Sequence, residues 1–114
     1  MSDCIFCKIV AKQIPAKITH EDAETVAFHD INPQAPVHLQ IIPKKHIARV
    51  SELNRETAPL MAHLVLTANR LAKEFSVSEE GYRLVINCNA AAGQSVYHLH
   101  LHLLGGRPMQ WPPG

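Results

Sequence analysis

Between about Glu56 and Phe75, apolar residues return every three or four positions, at Leu60, Leu64, Ala68, Leu71 and Phe75. That period predicts one long amphipathic helix, with Pro59 in its first turn, where a missing N–H is tolerated. Elsewhere the apolar period shortens to two. Lys17 to His20 and Thr25 to His29 read as two short strands, and Tyr82 to Asn87 and Tyr97 to Leu104 as two more, joined by the loop CNAAAGQSV. The prolines of INPQAPVHLQIIPKKH exclude a helix, while the apolar, β-branched run Val37 to Ile42 suits a buried strand with His38, Gln40 and Ile42 on one face. DCIFCKIVAKQIP reads as a short N-terminal helix, with Asp3 as N-cap and Pro15 beyond its end. Five strands with one long helix between the third and fourth do not alternate as βαβ units. The expected fold is therefore α+β: an antiparallel sheet of about five strands, covered by helix.

A chain of 114 residues is expected to be one domain, spanning residues 1–114. Eleven basic and ten acidic residues give a formal net charge of +1, so no broad field attracts nucleic acid or anionic lipid. Any phosphate must then be held by a local site. No long apolar run follows the N-terminus, and a cytoplasmic location is expected. Three cysteines, an odd number, argue against a disulfide scaffold. Eight histidines are many for such a chain, and histidine is the side chain that changes charge near neutral pH.

Three of those histidines stand at alternate positions in VYHLHLHLLGG: His98, His100 and His102. On a strand they share one face and sit roughly 6.6 Å apart at the backbone, while Leu99, Leu101 and Leu103 point the other way. Three readings compete: a polar strand face, a zinc held by three imidazoles, or a nucleophilic imidazole with neighbours that donate protons. Just before them, Gly93 and Ser95 offer close backbone N–H groups and a hydroxyl of the kind that cradles a phosphate. At the other end of the chain, Cys4 and Cys7 have the Cys-x-x-Cys spacing of a zinc pair, against the plainer reading of two packed thiols.

The motif HLHLHLL resembles the signature of the histidine triad family, and FHDINPQAPVHLQIIPKKHI, GYRLVIN, GQSVYHLHLHLLGGRPM and WPPG are similar to its Hint branch of nucleotide-binding proteins. The dinucleotide-polyphosphate branch would show Thr after the Gln and Pro-Arg after the apolar pair; here Ser95 and GGR stand there. The resemblance implies a purine nucleoside 5′-phosphoramidate hydrolase. His100 would attack the α-phosphorus to give a transient nucleotidyl-histidine, assisted by His102 and His38. Asn87, Gly93 and Ser95 would hold phosphate oxygens, and Asp30 the ribose hydroxyls. Ile5, Phe6, Ile9, Phe28, His29 and Ile31 would form the purine slot. In zinc-bearing relatives the ligands match Cys4, Cys7, His46 and His98, a structural site; no catalytic metal is required.

The resemblance also implies a symmetric homodimer joined edge to edge, with Trp111 packed at the interface. Two alternatives remain at this stage: a purine-nucleotide scaffold with vestigial hydrolysis, and a dinucleoside polyphosphate hydrolase. A zinc hydrolase using all three triad imidazoles is a third, from the residues alone. Cys88, His20 and His63 receive no role.

Overall fold

The computed structural model describes residues 3–114. Its elements in chain order are α1 (Ile5–Val10), β1 (Ile18–Glu21), β2 (Thr25–His29), β3 (Val37–Pro43), α2 (Ala58–Glu74), β4 (Tyr82–Val85) and β5 (Leu101–Gly105), with short 3-10 turns at Val50–Glu52 and Ala90–Ala92. The five strands form one antiparallel sheet in the order β1-β2-β3-β5-β4. This is the expected α+β architecture.

Strand alternation gives the sheet two faces with different tasks. Ala27, Leu39, Ile41, Leu101 and Leu103 turn toward α2 and pack with its Leu64, Ala68, Leu71 and Ala72. Val26, Phe28 and Ile42 turn the other way and pack with Phe6 and Ile9 of α1. His38 and Gln40, four and two residues before Ile42 on that same face, are thereby carried onto the α1 side. A helix of six residues is marginal by itself, so α1 depends on this burial.

Two expectations are corrected. The N-cap of α1 is Cys4, not Asp3: its Sγ accepts the backbone N–H of Cys7. The last strand begins at Leu101, not Tyr97, so His98 and His100 precede it. The reason is local. The N–H of Leu99 bonds the carbonyl of Ile47, 2.6 Å away in the turn after β3, instead of entering the ladder. The leucines still share one face, because Leu99 joins the α2 core with Leu101 and Leu103, while His98 and His100 are buried on the other side.

Candidate functional site

Each triad histidine makes a different hydrogen bond, and the bonds separate their roles. The ring of His98 is fully buried and its Nε2 lies 2.8 Å from the carbonyl oxygen of Pro43. A carbonyl only accepts, so Nε2 carries the proton and Nδ1 presents a lone pair. In His100 the assignment is reversed: Nδ1 lies 2.7 Å from the carbonyl of His98 and donates to it. Neutral His100 therefore keeps its lone pair on Nε2.

His102 belongs to a third arrangement. The backbone N–H of Gln34 donates to Nδ1 of His38 at 3.0 Å, so neutral His38 carries its proton on Nε2. That nitrogen is 2.9 Å from Nδ1 of His102 and donates to it, leaving the His102 proton on its own Nε2. The His102 ring stands 5.0 Å from that of His100, nearly perpendicular at 74°. Burial pushes the His38 imidazole below its ordinary value, against the nearby Asp30 carboxylate, which raises it. His102 is lowered to about 4, by burial first and then by its imidazole neighbours His100 and His38. At neutral pH both rings are uncharged. Asp30, at the end of β2, accepts from the amide of Gln40 at 2.8 Å and from the backbone N–H of Asn32 at 2.8 Å. Its carboxylate also lies 3.4 Å from Nε2 of His38.

On the far side of His98 stand Cys4, Cys7 and His46. His98 Nδ1 is 3.4 Å from Cys4 Sγ, 3.5 Å from Cys7 Sγ and 3.2 Å from His46 Nδ1, which is itself 3.3 Å from Cys7 Sγ. Zinc bonds of about 2.3 Å to sulfur and about 2.0–2.1 Å to nitrogen, at tetrahedral angles, space ligand atoms by about 3.3–3.8 Å. The four separations just given come close to that spacing, all four ligand atoms lie within 4.8 Å of one another, and the Pro43 carbonyl on His98 Nε2–H is the outer contact that orients such a ligand. Asp30, His38 and His102 are a second group close enough to share an ion. There the proton on His38 Nε2, imposed by Gln34, opposes ligation. Among the described residues, His98, His100 and His102 do not themselves form a group close enough to share an ion: His98 sits with the cysteines and His102 with Asp30 and His38.

Phe6 connects the two halves. Its ring meets Phe28, His98 and His100 edge to face, at 5.4, 6.0 and 5.2 Å between centroids. Phe6, Ile9 and Phe28 form a buried apolar cluster beneath His100, with Ile5 half-exposed and Ile31 fully exposed. His29 is not with them, contrary to expectation. One residue on from Phe28, it points to the other face, where its ring packs on Phe75 at 5.6 Å. Asn87 follows β4 half-buried, and Ser95 is exposed on the loop that leads to His98. Gly93 ends the short 3-10 turn there at φ +93°, a backbone conformation that favours glycine.

Sequence reasoning missed the glutamines. Buried Gln94 ties that loop down: its amide donates to the carbonyls of Ala48 and Val96 at 2.9 and 3.1 Å, and its oxygen accepts from the N–H of Asn89 at 2.8 Å. Gln40 and Gln34 act as described above. The alternation that put Gln40 beside His38 was the available signal. Sequence reasoning also left His20 and His63 without roles. Both donate to one oxygen of Asp22, at 2.8 and 3.0 Å, and so join the β1–β2 turn to α2. Trp111 is largely exposed.

The profile of the HIT domain family matches residues 11–109. The crystal structure of a HIT family hydrolase from Legionella pneumophila superposes with a TM-score of 0.97 at 54% identity, covering 98% of this chain and all of that one. A HIT family hydrolase from Clostridium thermocellum gives a TM-score of 0.94 at 48% identity, covering 96% of each chain. An uncharacterized HIT-like protein of Synechocystis sp. is 50% identical over 112 residues, 98% of this chain and 97% of that protein.

Proposed function

This chain belongs to the HIT domain family, and on that footing we propose that it is a hydrolase of purine nucleoside 5′-phosphoramidates. The observation that carries the reading is the bond from His100 Nδ1–H to the His98 carbonyl, which leaves Nε2 as a free lone pair in neutral imidazole. His100 Nε2 forms a bond to the α-phosphorus as the phosphorus–nitrogen bond to the leaving amine breaks. The amine departs with the bonding pair and takes a proton from solvent. Water then attacks the same phosphorus, the phosphorus–Nε2 bond breaks, and the proton released by water passes to solvent. The nucleoside monophosphate leaves and His100 is restored. Splitting one substitution into two is the advantage of a covalent intermediate.

His102, neutral and carrying its proton on Nε2, is suited to donate to a phosphoryl oxygen where charge develops, with Ser95, Asn87 and the backbone at Gly93 as further donors. His38 supports it from behind. Asp30, an acceptor-only group, suits a pair of ribose hydroxyls. Phe6, Ile9 and Phe28, with Ile5 and Ile31 at the rim, offer the apolar surface a purine requires. Cys4, Cys7, His46 and His98 would hold zinc as a closed structural site, whose chemistry is to fix α1 and His98. β4, an edge of the sheet, is the strand through which two copies would join into a homodimer, with Trp111 near the contact. A cytoplasmic setting with reduced thiols suits this chemistry.

The test is an assay of adenosine and guanosine 5′-phosphoramidates against dinucleoside polyphosphates, with and without chelator, alongside mass spectrometry of quenched enzyme. Hydrolysis of the phosphoramidates with a nucleotidyl group on His100 supports the reading. Preference for polyphosphates, or binding without turnover, overturns it.

A further inference from the structure

The His38–His102 pair has a polarity, and one backbone group sets it at the Nδ1 end. Were the N–H of Gln34 turned away, only the Asp30 carboxylate, 3.4 Å from Nε2, would still favour the proton there. In its observed place, 3.0 Å from His38 Nδ1, it forces that proton to Nε2, and the next bond forces the His102 proton to its Nε2 in turn. The reaction centre therefore faces a donor from His102 and not a lone pair. The segment that supplies this N–H, residues 31–36, is a loop outside any helix or strand. Side chains at its start and within it brace it, Asp30 accepting from the N–H of Asn32 and the Gln34 amide donating to the Asn32 carbonyl, at 2.8 and 3.0 Å.

One contact comes from elsewhere in the chain. Arg107, two residues past the end of β5, donates from Nε to the carbonyl of Gln34 at 2.9 Å and from Nη1 to the carbonyl of Pro108 at 2.9 Å. The two bonds aim the guanidinium fork at the loop. The Gly106 backbone also lies close to the Pro36 ring here. A Cβ added at Gly106, which sits at φ +92°, would come within 2.9 Å of the Pro36 side chain. Arg107 is exposed and touches none of the triad imidazoles, and no role was expected of it from the sequence.

We propose that Arg107 is a positioning residue: by holding the Gln34 carbonyl it fixes the loop whose N–H sets the tautomer of His38, and so the donor that His102 presents. The catalytic part of this inference rests on the function proposed above; the tautomer part does not. The experiment therefore reads both. Ring nitrogens of 15N-histidine are observed by NMR in the wild type, Arg107→Met and Arg107→Lys, and phosphoramidate turnover is measured on the same samples. The methionine variant keeps the stem and loses the donors. It is expected to fold with an unchanged thermal midpoint and to show mixed protonation at His38.

Its kcat should fall about three- to tenfold with KM nearly unchanged, the scale of one lost hydrogen bond. Arg107→Lys, which restores one donor, should recover part of both signals. A His38 tautomer unchanged in Arg107→Met overturns the proposal, whatever the activity does. So does a mixed tautomer with undiminished kcat. If the wild type hydrolyses no phosphoramidate, the functional reading fails, while the NMR comparison still decides whether Arg107 governs the imidazole pair.

Discussion

His100 donates its Nδ1 proton to the backbone carbonyl of His98, 2.7 Å away, so the residue that faces the cysteines also holds the residue proposed to face phosphorus. One peptide group thus joins the candidate metal centre to the candidate nucleophile.

Replacing His100 by Gly removes the Nε2 lone pair proposed to attack phosphorus. Turnover of a phosphoramidate is expected to fall by about a thousandfold or more, as loss of a covalent nucleophile does. Binding of the nucleoside monophosphate should survive, because Asp30 and the Phe6, Ile9 and Phe28 cluster are untouched. Steady-state kinetics and calorimetry on the same preparation check both halves.

Zinc should bind at about one ion per chain, with cysteine and histidine as its ligands. Cys7→Ser is expected to abolish stoichiometric zinc in elemental analysis. It should also lower stability by roughly 3–4 kcal/mol, the linkage expected when the metal is present at 100 to 1,000 times its Kd. Retention of zinc by this variant would remove the ion from the Cys4, Cys7, His46 and His98 site.

The imidazole pair makes stability depend on pH. Burial and neighbouring imidazoles hold His102 at about 4 in the folded chain, while the unfolded side chain titrates near 6.5. The unfolded state thus binds more protons between those values, and stability must fall as pH drops from about 6.5 to about 4. His38 and His29, both lowered chiefly by burial, act in the same direction. Urea unfolding at stepped pH should show this slope, and His102→Gln should flatten it.

Asp22 is a separate acid-sensitive point. Burial pushes its carboxyl up, but hydrogen bonds from His20, the Glu24 amide, Thr25 and His63 outweigh burial and hold it well below the ordinary carboxylate range. A depressed carboxyl stabilises the fold above its unfolded value, about 3.9, and that contribution is lost as pH falls below it. Asp22→Asn is expected to cost about 1–3 kcal/mol at pH 7 through lost acceptors to charged-group hydrogen bonds, and less near pH 3. Equilibrium denaturation of both proteins at the two pH values measures the difference.

Much of this fold was legible because periodicity carries it. Leu60, Leu64, Ala68 and Leu71 mark the buried stripe of α2, and Val37 to Ile42 mark a strand buried on both faces. The same alternation predicted that His38 and Gln40 share a side. It misled at two places. The alternation of VYHLHLHLL continues past the point where the hydrogen-bond ladder stops, since burial of Leu99 does not require a strand. His29 was grouped with Phe28 on the strength of the resemblance, although adjacent strand residues face opposite ways.

By itself the sequence determined the element types, the two-faced sheet and the residues rich in site chemistry, because side-chain period and residue type are local properties of the chain. Only the tertiary structure decided which nitrogen of each imidazole holds the proton. His98, His100 and His38 take their tautomers from Pro43, from His98's own carbonyl and from Gln34, partners fixed by how strands and turns meet. A ring nitrogen's role depends on whether its neighbour donates or accepts, and which backbone group that neighbour presents is set by how the chain turns, within a few residues at His38 and His100 and across the sheet at His98.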